Sequence, residues 1–442
     1  MMLTLHAIVF IALIATGVHF KGVAIGLFGG LGVLIFVVIF GLAPGAVPVS
    51  AILVILTIVT AAGAMQLAGG LDCLVAIGER LIRKSPDKVT YISPLATYVL
   101  CAGAGTGNVF CSLLPVIYEV SYSAGVRPER PLALSATAGQ LALTTSPASA
   151  SMIAMVGLLA PTGFTFGHII MIVLPASLLA IIAGAFIMNR IGKDLGEDPE
   201  FQRRCAEGLI QLPQRSGTAN VITVTSEGKR SAVIFAVGIL VIMVSGFTRW
   251  RPMVASGQGG VSPLDTTLFI QMVMLATAAL IIALCGVRAS DIPGSPLFRL
   301  GLSAIVTLFG VAWMANTLLA EHSDLIERTL VGGLHYAPLM LGVGLFGVAA
   351  ITTSQSSATL SIIPVGLAMG IPPAVLIALW PAVIGVFFLP ANGSQFASVE
   401  IDKTGTTRIG RFVINHSFIP PVLVLTAVSV SVGLMIAAVM FH

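Results

Sequence analysis

Apolar runs long enough to cross a bilayer return along nearly the whole chain, and they leave too little polar surface for a soluble fold. A transmembrane helix needs about 20 consecutive apolar residues, and stretches such as Gly22 to Leu42 supply them. Of the 442 residues, 57% are hydrophobic and 9% charged, against about 25% charged in a soluble domain. Mean hydropathy is +1.03. The composition predicts an all-α polytopic membrane protein and excludes soluble enzymes and nucleic-acid binders. An outer-membrane barrel is excluded too, because these runs lack the alternating polar positions of lumen-facing strands. The first run has no basic n-region and no small-residue cleavage site before Lys21, so it reads as a span rather than a signal peptide. Cys73, Cys101, Cys111, Cys205 and Cys285 show no metal spacing and read as packing residues. No metal and no cofactor is expected.

Reading runs against breakers predicts ten full spans, near residues 3–20, 23–43, 50–70, 131–160, 168–189, 231–248, 266–287, 300–320, 374–398 and 411–440. Two further stretches, 88–126 and 336–371, have polar, Gly-rich or Ser-rich centres and read as re-entrant hairpins. The polar connection 190–230 reads as a cytoplasmic, solvated linker between a first repeat (1–189) and a second (231–442), with docking of a protein partner as its other reading. Lys and Arg are retained on the cytoplasmic side. In this arrangement 19 of the 22 fall on one side, leaving Arg249, Arg251 and Arg328 on the other. Both termini are therefore expected to face the periplasm.

The two halves run in the same order. In the first, span 50–70 is followed by an amphipathic stretch (71–84), a hairpin with tip Gly105-Thr106-Gly107-Asn108, then Gly125-Val126-Arg127-Pro128, then a span broken at Ser146-Pro147-Ala148-Ser149. In the second, span 300–320 is followed by an amphipathic stretch (321–334), a hairpin with tip Thr352-Thr353-Ser354-Gln355-Ser356-Ser357, then Gly370-Ile371-Pro372-Pro373, then a span broken at Leu389-Pro390-Ala391-Asn392-Gly393-Ser394. The hairpins open to opposite sides in this topology. Inverted repeats with paired broken helices are the signature of a secondary transporter whose site lies where the breaks meet. One such break taken alone reads as close helix packing before it reads as a site. Four in matching places mark a site, because freed backbone groups at membrane depth need protein interior or a polar cavity around them.

Each break begins a half-helix, whose N-terminus offers free N–H groups and about half a positive charge. Four together supply roughly two charges, which suits a small dianion. The candidate binding residues are Thr106, Gly107 and Asn108; Ser146, Pro147 and Ser149; Thr353, Ser354, Gln355 and Ser356; and Asn392, Gly393 and Ser394. The same carbonyls and hydroxyls also suit Na⁺, so an anion and a cation both remain open. Glu79 and Arg83, four apart, can pair on one helical face. Glu119 is read as the partner of Arg127 or Arg130, or else as a proton carrier. Arg127 can attract an anion at the inner mouth. His416 reads as a helix-end residue rather than a proton relay. There is no Walker sequence and no nucleophile with a positioned base, so no enzyme is expected. The rival readings are a cation/proton antiporter, which would need a mid-membrane carboxylate, and a sensor or scaffold that does not transport.

Gly69-Gly70-Leu71-Asp72, Ala104-Gly105-Thr106-Gly107-Asn108, Leu114-Pro115-Val116-Ile117, Arg127-Pro128-Glu129-Arg130-Pro131 and the run from Thr404-Gly405-Thr406-Thr407-Arg408 to Asn415-His416 resemble the anaerobic C4-dicarboxylate uptake (Dcu) transporters of the A/B branch. The resemblance covers nearly the whole chain. It implies uptake, exchange and efflux of fumarate, malate, succinate and aspartate across a bacterial inner membrane, with protons or Na⁺ as possible coupling ions. The wider ion transporter superfamily adds homodimers, elevator-like movement and, for some members, a sensor-kinase partner. Residues matching those of functional importance in the family are Glu79, Arg83 and Arg127. The second broken span departs from the family: Leu389-Pro390-Ala391-Asn392-Gly393 stands where Leu-Pro-Thr-Tyr-Pro is familiar, and Ser356-Ser357 replace small alanines in the hairpin tip.

Overall fold

A computed structural model describes residues 2–20, 23–47, 49–210, 224–248, 250, 252–256, 260–330, 337–390, 392–409 and 415–441. Lys21, Arg215, Arg249, Arg251, Ala391 and Arg411, together with the middle of the 190–230 connection and the start of the expected last span, lie outside the described residues.

The chain is mostly helical. The first half holds α1 (Met2–Phe20), α2 (Ala24–Val38), α3 (Val49–Leu67), α4 (Gly70–Lys84), α5 (Val89–Ala104), α6 (Phe110–Ser123), α7 (Glu129–Leu141), α8 (Ala150–Leu159) and α9 (Phe166–Met188). A short α10 (Pro199–Ala206) lies in the connection, followed by α11 (Ser226–Thr248). The strands β1 (Met253–Ser256) and β2 (Gly260–Pro263) come next, then α12 (Thr266–Cys285), α13 (Pro296–Leu330), α14 (Ala337–Thr352), α15 (Gln355–Ala368), α16 (Pro373–Leu379), α17 (Gly393–Ile401) and α18 (Ile419–Met440). Large side chains on the outer faces, such as Leu34, Leu240, Leu284 and Val439, are apolar and exposed, as lipid-facing helices require. This is a multi-pass membrane protein.

Among the described residues, α9, α18 and segments of α12 and α13 are long and apolar enough to cross a membrane, and α3 with α4 makes a fifth candidate bent by 70°. Ten were expected. Apolar but shorter helical segments cover Leu5–Gly17, Ala24–Val38, Ala150–Thr162, Pro338–Thr352 and Pro373–Phe387.

Three elements differ from the reading of the sequence. Span 300–320 and the stretch after it form the single helix α13, because Leu318-Leu319-Ala320-Glu321 has no breaker, whereas α3 and α4 part at Gly69, whose φ of +81° only glycine adopts cheaply. The last helix starts at Ile419 rather than 411, with Pro420 and Pro421 in its first turn, where the missing N–H groups cost nothing. Ahead of it, residues 402–409 turn around Asp402, and Ile409 bridges to His416. The antiparallel pair β1–β2, Met253 opposite Pro263, was not expected. Its trace in the sequence is a Gly-rich run, 256–260, between two very short strands.

Helix packing falls into two sets that are joined where α13 packs on α8 and α15 and α11 on α9. In one, α2 lies along α13, α3 along α12 and α13, and α11 along α12. In the other, α5 packs on α7, α7 and α18 on α9, α16 on α18, and α8 on α15. Trp380, fully buried, donates from Nε1 to Thr359 Oγ1 at 2.8 Å and ties α15 to the span containing α16.

Candidate functional site

Both hairpin tips share one backbone solution. Gly105 (φ +71°) and Thr353 (φ +52°) are left-handed and end the first arm. Thr106 and Ser354 follow in extended conformation, and their hydroxyls cap the next arm by accepting from Asn108 N–H and Ser357 N–H. Thr353 is β-branched, so this conformation holds about 1–3 kcal/mol of strain at the second tip. The broken spans match as well. Each tightens into a 3-10 turn, at 142–144 and at 380–387, and restarts behind an extended cap, Ser149 or Asn392.

The tips meet the first break around a cavity of about 290 Å³. Thr106, Gly107 and Asn108 line it from the first tip, and Thr353, Gln355 and Ser356 from the second. Gln140, Leu143, Ala150 and Ser151 contribute from either side of the break between α7 and α8, and Val386 from the other broken span. None of the described residues that line it carries an ionisable side chain. Gln355 Nε2 donates to the Gln140 main-chain oxygen at 2.8 Å, and its Oε1 accepts from Ser151 Oγ at 3.3 Å, so one amide joins the second hairpin to both sides of the first break.

The other candidates stand apart from this cavity. Ser146 and Ser149 are buried in the turn, where Ser149 Oγ donates to Leu143 O at 2.5 Å and accepts from Met152 N–H at 3.1 Å. Pro147 faces a separate apolar cavity with Ile58, Met152 and Ile242. Ser354 is occupied as a cap. Asn392 accepts from Ser394 N–H at 3.0 Å and forms a capping box with Gln395, Gly393 is exposed, and Ser394 is buried. Gln140 and Ser151 were missed. No local pattern marks them, since α7 also carries Ser135 and Thr137 and Ser151 stands close to Ser146 and Ser149.

The charged candidates are redistributed. Arg83 pairs with Glu119 at 3.0 Å rather than with Glu79, on a partly exposed surface where such a pair contributes little. Glu119 therefore does not partner Arg127 or Arg130. Arg127 is not at an open mouth: its side chain is buried, with Nε 2.6 Å from Glu129 and Nη1 2.5 Å from Asp198. Arg130 donates to Ile191 O and Gly192 O, both at 3.0 Å. Glu129 accepts from Ser417 Oγ at 2.6 Å, and Arg204 donates to Lys403 O at 2.9 Å. The beginning of the 190–230 connection is thus folded onto the start of α7 and the turn at residues 402–409, not solvated throughout. His416 lies at 2.9 Å from Phe388 O, near the end of the last helix that its position suggested.

Burial alone would raise the Asp198 carboxyl, but the Phe201 N–H, the Arg127 guanidinium and the Glu200 N–H hold it below its ordinary value. A depressed folded-state value means the group stabilises the fold fully above the ordinary carboxylate range, about 3.9, and that this contribution is lost as pH falls through the folded value. The melting temperature is therefore expected to drop more steeply below about pH 4 in the native protein than in Asp198→Asn. Parallel acid limbs in a thermal-shift series would remove Asp198 from this role.

Comparison with known proteins covers nearly the full length of the chain. Residues 2–441 match the family described as anaerobic C4-dicarboxylate membrane transporter. The C4-dicarboxylate transporter DcuA of Wolinella succinogenes is 36% identical over 99% of this chain and 100% of its own. The anaerobic C4-dicarboxylate transporter DcuB of Escherichia coli O6:H1 is 36% identical over 99% of each. The crystal structure of the Alcanivorax borkumensis YdaH transporter covers 92% of this chain and 88% of its own, at 18% identity and a TM-score of 0.45. With relatives matching from one end to the other, the chain belongs to the anaerobic C4-dicarboxylate membrane transporter family.

Proposed function

We propose that this protein is a secondary transporter of C4-dicarboxylates (fumarate, succinate, malate and aspartate) in a bacterial inner membrane. The observation that carries this reading is the cavity in which two capped hairpin tips and a helix break converge with hydroxyls, amides and half-helix N-termini but, among the described residues, no ionisable side chain. Such a lining suits a dianion, whose charge the helix ends offset. It does not suit the rival cation/proton antiporter, which needs a carboxylate there.

The matched backbone of the two tips and the two breaks supports descent from inverted repeats, 1–189 and 231–442. The two packing groups support a division of labour. The first group (α2, α3, α11, α12 and α13) serves as membrane-fixed scaffold, and the hairpins with the broken spans form the unit that carries substrate between sides in an elevator movement. Exchange follows naturally if the empty unit moves slowly, because a product dicarboxylate then provides the return load. A homodimer with periplasmic termini completes this reading.

Counterflow tests it. Proteoliposomes loaded with unlabelled succinate are expected to accumulate external labelled fumarate, with Na⁺ and pH varied to identify any coupling ion. Absence of any dicarboxylate-dependent signal from folded protein under all cation conditions would overturn the reading.

A further inference from the structure

The geometry points to Gln140 as a substrate-binding residue that presents its carboxamide N–H groups to one carboxylate of the dicarboxylate, beside the first hairpin tip. This rests on the transport function proposed above and names a residue that sets its anion specificity.

A chain of amides fixes which way Gln140 faces. Ser151 Oγ donates to Gln355 Oε1 at 3.3 Å, and Gln355 Nε2 must donate to the Gln140 main-chain oxygen at 2.8 Å, because a carbonyl can only accept. Gln355 is thereby oriented without ambiguity, with its nitrogen toward Gln140. That nitrogen also lies 3.4 Å from Gln140 Oε1, so the Gln140 amide turns its oxygen to Gln355 and its nitrogen away. The nitrogen points to Gly107: a Cβ placed there would come within 2.5 Å of Gln140 Nε2. Gln140 is 8% exposed, lines the cavity, and its Nε2 has no hydrogen-bond partner among the described residues. The nitrogen is not sealed off from the cavity, so it faces that space as a donor open to a ligand or water.

Next to this nitrogen, the chain after Thr106 begins a new helical arm, with the Thr106 hydroxyl capping Asn108 N–H. A carboxylate at this point meets the N-terminal end of the arm on one side and the Gln140 amide on the other. Both are donors and neither is an ion, which offers a dianion hydrogen bonds while leaving no fixed charge behind when it departs. Glycine at 107 has a reason in the same contact, since any side chain would displace Gln140.

The experiment compares dicarboxylate exchange kinetics of the native protein, Gln140→Leu and Gln140→Glu in proteoliposomes, each shown monodisperse beforehand. Loss of a hydrogen bond to a charged group predicts a rise of about tenfold or more in KM for fumarate in Gln140→Leu, with the maximal exchange rate changed much less. Gln140→Glu faces the dianion with a carboxylate and is expected to transport poorly at about pH 8. It should recover relative to the native protein as pH falls to about 5.5, because a neighbouring anion raises its pKa and the protonated acid again donates. A merely structural role would not produce that recovery. An unchanged fumarate KM in Gln140→Leu, or a Gln140→Glu to native activity ratio independent of pH, would overturn the assignment. Failure of the native protein to exchange dicarboxylates at all would instead count against the transport function itself.

Discussion

Arg127→Ala is expected to destabilise the protein by about 3–5 kcal/mol, the range for breaking a buried ion pair from one side. The guanidinium sits between Glu129 and Asp198 with all three side chains nearly inaccessible, at 7%, 8% and 11% exposure. Its removal leaves two carboxylates without a counter-charge, and also frees the Lys193 carbonyl that Nη1 contacts at 3.3 Å. Lysine is not expected to rescue the site, because one ammonium cannot reproduce a fork that reaches two carboxylates from different segments. The check is the melting temperature of purified protein in detergent alongside fumarate KM. If Arg127 served as an anion attractor at the inner mouth, the alanine variant would raise KM at an unchanged melting temperature, which would sink the structural role assigned here.

Gly310→Ala is expected to be at least as damaging, upwards of about 3 kcal/mol and above the usual cost of overpacking, because the obstacle is backbone. A Cβ at this position of α13 would lie 1.7 Å from Gly26 O of α2, and a Cβ at Gly26 would lie 2.3 Å from Val306 O. The two helices approach through their glycines, as membrane helices do where close backbone contact replaces the hydrophobic driving force. No rotamer change relieves such a clash, so α2 and α13 must separate. Gly30→Ala, on the partner helix α2 with nothing within 4 Å, serves as the control and is expected to leave the melting temperature within about 0.5 kcal/mol equivalent of native. Equal melting temperatures for Gly310→Ala and Gly30→Ala would refute the packing argument.

Both predictions concern contacts that no local pattern announces. Arg127-Pro128-Glu129-Arg130-Pro131 and Thr404-Gly405-Thr406-Thr407-Arg408 stand out as motifs in the sequence, yet nothing in either shows that they belong together. In the structure Glu129 receives bonds from Ser417 and lies against Thr406, while Arg130 and Arg127 grip the backbone of residues 191–193 between them. Gly192, at φ +71°, is held to glycine by the Arg127 guanidinium, which a Cβ would meet at 2.8 Å. A polar connection that reads as solvated is in its first part a clasp between the two halves.

What the sequence determined by itself was whatever local physics dictates. Apolar runs demand a bilayer, and Gly or Pro beside Ser, Thr and Asn end one helix and cap the next, so several helix ends were legible to within a few residues: two helices run 89–104 and 110–123 inside the stretch 88–126. Thr106, Ser149, Ser354 and Asn392, read in the sequence among the groups that orient a ligand at the breaks, cap the helices that restart there, a role that depends on residues one to three positions apart. Only the tertiary structure decided which of those places share a cavity, because convergence depends on how helices far apart in the chain pack. It brought the two hairpin tips and the α7–α8 break together, left Asn392 to Ser394 aside, and added Gln140, whose single amide carries no sequence signature until Gln355, more than two hundred residues on, fixes the direction it faces.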